Sequence, residues 1–508
     1  MNLLPPIAAA KAGFSGRRSI LRATKQRCFL WVAVFSFAAT SPLAQIVYAE
    51  DVRDYGAKGD GTTDDTAAIR RAFMESKDGI VSFSRGDYRI TETIGVELNR
   101  IGRVSINGMG GVGRVIMHGE GPAFRFIGTH QGTASPDSFT EATWQKERMP
   151  QLSSLEIIGS HPDADGVEFI GVMQPTLHAV LIREVRNGIT LSARNRNLLI
   201  DACHIYNCSG IGIFFNQVNL HQAIIQGSHI SYCKRGGIKV VNGEVRNFQI
   251  TGNDIEYNYD DQAEQSADIW FDMQSGTIAE GTIVSNTIQA RVSPGGANIR
   301  FIGPADSQHP TPMSMWTITG NLIGSQETNL HLVRCRGMTI SANHIYSGKQ
   351  RSMTLEDCEN MVIGSNSMDQ SHNAERDFQN GVTINGSKGI VINSLVLDEC
   401  GAGSEERGAA IEVFASQNVT VSNCILLNPK FRGIWAGDSG NVQVLGNQIS
   451  SRAANAPFVA AIEIATPSSA TIVKDNLVAA GKRGSVVAPM NSSVLVKDNL
   501  SSQGSSLR

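Results

Sequence analysis

Phe248-Gln-Ile250-Thr-Gly-Asn253-Asp-Ile255 contains one copy of a frame, hydrophobic-x-x-Asn-x-hydrophobic, that recurs through the second half of the chain. Ile318-Thr-Gly-Asn321-Leu-Ile323, Ile340-Ser-Ala-Asn343-His-Ile345 and Val444-Leu-Gly-Asn447-Gln-Ile449 repeat it. Asn286, Asn366, Asn393, Asn423, Asn476 and Asn499 extend the series, with Thr420 in the leading position before Asn423 and Ser501 following Asn499. Successive intervals are 33, 35, 22, 23, 27, 30, 24, 29 and 23 residues. A unit of this length, made of short β-branched runs, is the mark of a repeat architecture whose core grows along one axis.

Each unit carries a second apolar-alternating run. Gly237-Ile-Lys-Val240, Asp268-Ile-Trp-Phe271, Asn298-Ile-Arg-Phe301, Asn329-Leu-His-Leu332 and Ala461-Ile-Glu-Ile464 are examples. Period-2 alternation predicts half-buried strands with the apolar members inward. Cys203 and Ser228 sit in the asparagine's phase at 25-residue steps before Asn253, so the coils begin well upstream. Identical coils stacked in parallel form a β-helix, an all-β solenoid. Asparagine suits the bend between strands because it tolerates left-handed dihedrals and its amides can hydrogen-bond from coil to coil.

The chain has 508 residues, with 44 basic and 47 acidic side chains and a net charge of -3. No basic stripe is present, so nucleic acid is not an expected partner. Lys11, Arg17, Arg18, Arg22, Lys25 and Arg27 precede an apolar run from Cys28 to Ala39 that is too short for a comfortable membrane span. Val47-Tyr48-Ala49 then reads as a cleavage site. Residues 1–49 are therefore expected to be an export signal, with Gly16-Arg17-Arg18-Ser19-Ile20-Leu21-Arg22 resembling the twin-arginine type. The mature protein would be periplasmic or secreted, with no stable membrane span; an uncleaved anchor is the alternative. Beyond this segment lie seven cysteines. Cys208 and Cys233 are 25 residues apart, and Cys335 and Cys358 are 23 apart. One coil of separation, about 4.8 Å, would allow disulfides. The odd count and the absence of Cys-x-x-Cys favour a ladder of buried thiols.

Residues 50–95 differ from the coils and are expected to cap them, leaving 96–500 as β-helix and 501–508 as a tail. A turn-rich acidic loop leads into Thr66-Ala-Ala-Ile69-Arg-Arg-Ala72-Phe73, a short amphipathic helix with an Asp or Thr N-cap. Asp54-Tyr55-Gly56-Ala57, Gly59-Asp60-Gly61-Thr62-Thr63-Asp64-Asp65-Thr66, Ala68-Ile69 and Gly86-Asp87-Tyr88 resemble the N-terminal region of pectate-lyase-superfamily proteins. That resemblance implies a right-handed parallel β-helix and a carbohydrate polymer as partner, with homotrimers known in the superfamily. It implies no single activity, since lyases, hydrolases, epimerases and phage tailspikes share the motif. Asp60, Asp64 and Asp65 lack EF-hand spacing and read as capping residues. No cofactor is expected, although a divalent cation such as calcium is compatible with the acidic groups. The Gly-His-Gly, Arg-Ile-Lys, calcium and arginine motifs of the superfamily's enzymes are absent, so no catalytic residue carries over.

A packed interior leaves chemistry to outward columns and projecting loops. The outward column of the second strands is predicted to run Glu168, Thr190, Gly212, Lys239, Trp270, Arg300, His331, Thr354, Thr383, Glu412, Trp435 and Glu463, flanked by Asp268, Asp272 and Glu356. An exposed Trp270 between Lys239 and Arg300 would be a sugar platform. Loops Tyr257–Ala267, Gln289–Ala297, Pro304–Met315 and Asp369–Asn380 would wall the cleft. Asp268 and Asp272 stand about 13 Å apart along a strand, too far for a hydrolytic pair alone, so Asp260, Asp261 or Glu264 would have to supply a partner. For elimination or epimerisation, His331, Lys239 and Arg300 would act on a uronate. The candidate catalytic set is Asp268, Asp272, His331 and Glu356; the binding set is Lys239, Trp270, Arg300, Asp260 and Asp261. His204, His229 and Asp254 form a second outward column, read as solvent-facing polar residues rather than a metal site. The reading is a polysaccharide-cleaving or -modifying protein, with a non-catalytic binding, adhesive or envelope solenoid as the alternative.

Overall fold

The computed structural model describes residues 50–306, 309, 312–371, 378–452, 458–490, 493–501 and 506–507. The expected export signal lies outside these residues, as do parts of the loops expected at 304–315 and 369–380 and most of the C-terminal tail. Among the described residues no helix is long and apolar enough to cross a membrane.

Every coil contributes three strand segments, each paired in parallel with its counterpart in the next coil. The first face includes Ile238–Val241, Ser266–Asp272, Gly296–Ile302, Thr328–Val333 and Arg351–Glu356. The second includes Glu244–Thr251, Thr277–Val284 and Met313–Thr319. The third is built of three-residue strands such as His204–Tyr206, His229–Ser231 and Asp254–Glu256. On the first face the register aligns Glu168, Thr190, Phe214, Lys239, Trp270, Arg300, His331, Thr354, Thr383, Glu412, Trp435 and Glu463. This is the predicted column with one correction: Phe214, not Gly212, stands between Thr190 and Lys239.

The bend between the second and third faces explains the asparagine frame. Asn253, Asn286, Asn321, Asn343 and Asn366 are buried one above another. Each of the first four gives its backbone N–H and its side-chain amide to the carboxamide oxygen of the next, at 2.9–3.0 Å. Their amides also reach strand carbonyls such as Ile225 O and Ile250 O. Side chains thus satisfy buried polar groups that the bend would otherwise orphan. The ladder asparagines are not themselves left-handed. The residue before each is: Gly252 (φ 64°), Ser285 (φ 57°), Gly320 (φ 67°), Ala342 (φ 55°) and Ser365 (φ 45°).

That geometry corrects two members of the series. Asn423 (φ 54°) is itself the left-handed residue, so Cys424 fills the ladder slot; one coil earlier Ser394 is left-handed and Leu395 fills it. Asn393 therefore precedes the bend. The ladder resumes at Asn447, Asn476 and Asn499.

The interior is filled by aliphatic columns and several aromatic clusters. Phe271 packs on Phe301 with ring centroids 4.3 Å apart, and Trp316 meets them at 5.0 and 5.3 Å. Gly281 makes room for this indole, since a Cβ there would lie 2.3 Å from the Trp316 ring. All seven cysteines are buried thiols. The Cys233 thiol beside it, together with burial, pushes the Cys208 pKa well up.

The cap is a hydrogen-bonded knot. Asp60 accepts from Thr62 N and Thr63 N, and Asp65 accepts from Lys58 N and Gly59 N. Helix Thr66–Glu75 is capped by Asp64, which takes Thr66 N at 3.1 Å, rather than by the Asp65 that occupies the N-cap position. Ile69 and Phe73 are buried on its inner face.

Candidate functional site

The strip around Trp270 is more closed than its alternation predicts. Trp270 is only 9% exposed and packs on Ala267 and Ala297. The Lys239 amine sits 3.4 Å from its ring centroid, and Arg300 lies 5.6 Å away on the next coil. The face expected to receive a sugar is therefore occupied by a cation. Arg300 spends its donors on Gly295 O (2.6 Å) and Ser266 O (3.4 Å), which hold the bases of two inserted loops. Its Nε donates to His331 Nδ1 at 3.3 Å, and His331 Nε2–H donates to Glu356 at 3.2 Å. Both imidazole nitrogens are engaged, so His331 has no free lone pair to act as a base. The hydrogen bond from His331 lowers the Glu356 pKa. Asp272 is half-buried and accepts from Gln274 Nε2.

Asp268 does not flank this strip. It is fully buried, and every residue of the strand Ser266–Asp272 except Asp272 is buried. Its carboxyl accepts from Asn258 N and Nδ2 and from Asn298 Nδ2, all at 3.1 Å. Burial pushes its pKa up to about 8 against the pull of those three donors. Asp268 and Asn258 bracket residues 259–267, so together they fasten the base of the loop bearing Asp260 and Asp261.

That loop opens onto a different groove. A cavity of about 730 Å³ is lined by Glu184, Asn207, Tyr232, Lys234, Tyr257, Tyr259, Asp260 and Asp261, among others. Glu184, Asn207, Tyr232 and Tyr257 hold the same turn on four consecutive coils, all left-handed, with φ of 57°, 55°, 55° and 54°. Equivalent placement stacks Tyr232 on Tyr257, with ring centroids 5.3 Å apart and planes 4° from parallel. Tyr232 is 52% exposed. Bulky residues are rare in this backbone region, where Gly or Asn fits with less strain. Sequence reasoning found Asp260 and Asp261 but not the tyrosines; their 25-residue interval, in phase with Cys233 and Asn258, was the available signal.

The other edge of the same first-face strands carries a basic pocket of about 380 Å³, also not anticipated. Arg196, His221 and Arg246 form one outward column at 25-residue steps, and Arg194 lies beside them. Burial and the neighbouring Arg194 push Arg196 down to about 10. Between groove and pocket lie the outward Thr190, Phe214 and Lys239. On the third face, His204, His229 and Asp254 align as predicted, and the Glu256 carboxylate lies 3.7 Å from His229 Nε2.

Residues 151–288 and 269–449 match the family described as right handed beta helix region. Residues 50–117 match rhamnogalacturonase A/epimerase, pectate lyase-like. A non-secreted LysM effector, LysM19, of Penicillium expansum is 37% identical over 78 residues, which cover 13% of this chain and 6% of that protein. The pre-mature gene product 12 of bacteriophage phi29 superposes with a TM-score of 0.49 at 14% identity, over 82% of this chain and 54% of that one. The A-module of the mannuronan C-5 epimerase AlgE4 of Azotobacter vinelandii gives 0.38 at 13% identity, over 89% and 99%. The chain thus spans a small fraction of the curated relative and about half of the phage protein, and at such identity the structural likeness concerns the fold alone. With stacked parallel coils through the described residues and family matches over residues 50–117 and 151–449, the chain belongs to the right-handed β-helix family, in its pectate-lyase-like superfamily.

Proposed function

We propose that this is an exported protein that binds a carbohydrate polymer in the groove at Tyr232 and Tyr257 and acts on it there. The observation that carries this reading is the stacked tyrosine pair, with Tyr232 facing solvent, in a groove shared with Glu184, Lys234, Asp260 and Asp261. Two parallel rings one coil apart offer an apolar face to a sugar ring while the phenols and carboxylates meet its hydroxyls.

Chain cleavage is the catalytic form of this reading. Hydrolytic cleavage requires two carboxyls roughly 5–9.5 Å apart across the bond, and the groove supplies three candidates, Glu184, Asp260 and Asp261. Asp268 is withdrawn from the catalytic set because it is buried, and Trp270 from the stacking role because Lys239 covers it. The test is incubation with a polysaccharide panel, reading reducing ends and the ultraviolet absorbance of unsaturated uronates. Reducing ends alone indicate hydrolysis and both signals indicate elimination. Binding with neither signal makes the protein a carbohydrate-binding solenoid, and no binding to any polymer contradicts the proposal. Mass spectrometry of exported protein, expected to begin near Glu50, tests the export step.

A further inference from the structure

The strand pairing of the third face assembles a cluster of three possible metal ligands. The register sets His229 beside Asp254 and Ser231 beside Glu256 on the next coil. Alternation buries Ile230 and Ile255 and turns His229, Asp254 and Glu256 outward. His229 Nε2 lies 3.7 Å from Glu256 Oε1 and 4.0 Å from Asp254 Oδ2, and one ligand atom from each of the three lies within 4.8 Å of the others. These separations are too long for hydrogen bonds. Among the described residues the ion pairs of both carboxylates go to His229 alone, so two acids share one imidazole. Burial, and then the Glu256 charge, push the Asp254 carboxyl above its ordinary range.

Glu256 is held in place from outside the cluster. Its Oε2 accepts from Gln289 Nε2 at 2.7 Å, which turns Oε1 toward His229. Gln289 Oε1 in turn accepts from the Tyr346 hydroxyl at 3.0 Å, across the intervening coil. Gly324 stands between them in the register and permits this reach, since a Cβ there would lie 2.4 Å from the Tyr346 ring. An outer hydrogen-bond chain that fixes a carboxylate beside an imidazole is how metal ligands are oriented. One nitrogen and two oxygens suit a first-row divalent ion such as zinc, whereas calcium takes six or more oxygens. Ligand atoms about 2.1 Å from a tetrahedral ion stand about 3.4 Å apart. The two imidazole–carboxylate distances are slightly wider than that closed shell, and the exposed Asp254 edge leaves a fourth position to solvent.

We infer that His229, Asp254 and Glu256 bind a divalent transition-metal ion of the zinc class, with Gln289 as a positioning residue. The ion would tie one coil to the next just before the turns that carry Tyr232 and Tyr257. The inference does not depend on what the tyrosine groove binds.

The test is titration calorimetry of metal-stripped whole protein with zinc and, separately, with calcium and magnesium, circular dichroism checking the fold of each variant. Wild type is expected to take one zinc per chain in the micromolar range or tighter, and neither calcium nor magnesium comparably. His229→Ala and Glu256→Gln should each weaken zinc binding at least about tenfold, and Gln289→Leu about tenfold. His344→Ala, which removes a third-face imidazole outside the cluster, should leave it unchanged. X-ray absorption of the zinc-loaded protein should show imidazole nitrogen and oxygen around the ion and no sulfur, a readout that decides even where a variant fails to fold. No zinc binding by folded wild type, or undiminished binding by both His229→Ala and Glu256→Gln, overturns the inference. Sulfur around the ion also overturns it, placing the ion at the buried thiols. Calcium bound more tightly than zinc overturns the metal class.

Discussion

Asp268 and Tyr232 show how far a side chain's role follows from its strand phase. The sequence Asp268-Ile-Trp-Phe271 alternates as an outward–inward strand, yet Asp268 is buried and hydrogen-bonded to Asn258 at its own loop base and to Asn298, its counterpart on the next coil. Asn329 continues that buried column by donating to Asn298. Burial raises the folded pKa of Asp268 to about 8, whereas an unfolded aspartate titrates near 3.8. Between these values the unfolded chain releases the proton and the folded chain keeps it, so stability falls as pH rises through that window. Asp268→Asn removes this term. The melting temperature of the variant relative to wild type should therefore rise from pH 4 to pH 8, followed by circular dichroism; a constant difference would mean that Asp268 titrates as an ordinary surface carboxyl. At Tyr232 the backbone and the side chain have opposed interests. Tyr232→Gly should leave stability unchanged or raise it by up to about 1 kcal/mol, because φ of 55° suits glycine, while removing the ring needed for binding. A loss of more than 1 kcal/mol in denaturant unfolding would place the ring in the core rather than the site.

At the scale of the bend, the recurring frame was legible because its physical cause is repetitive: a left-handed residue followed by a side chain able to donate and accept along the axis. The frame alone did not separate those two positions, which is why Asn393 and Asn423 looked like ladder members. Replacing Asn343 with Ala deletes the acceptor of Asn321 N and Nδ2 and the donor to Ile318 O. With buried groups left unmet on both neighbouring coils, the expected loss is about 3 kcal/mol or more in urea unfolding. A loss below 1 kcal/mol would mean that water or backbone shifts replace the amide. The coil at Leu395 and Cys424 already lacks the ladder, so truncating Asn393 to Ala should matter far less.

Over the whole molecule, the fold was readable from periodicity and the site was not. A solenoid repeats its core, so inward residues advertise themselves coil after coil. A site is built where columns from different turns meet, and its members are neighbours only at one-coil offsets. Asp260 and Asp261 were visible as part of an insertion. Tyr232 with Tyr257, and Arg196 with His221 and Arg246, were visible only as 25-residue intervals among surface residues. The Trp270 strip, which its residue types made prominent, is a brace: Arg300 ties the bases of two loops to the scaffold and Lys239 covers the indole. The proposed site for the polymer is the tyrosine groove, and affinity electrophoresis of wild type, Tyr232→Ala, Tyr257→Ala and Trp270→Phe through gels containing each polysaccharide of a panel is its sharpest test. A retarding polymer is expected to retard both tyrosine variants at least tenfold more weakly, about 1–2 kcal/mol, and Trp270→Phe as strongly as wild type. Full retardation of both tyrosine variants, with loss in Trp270→Phe, would contradict it.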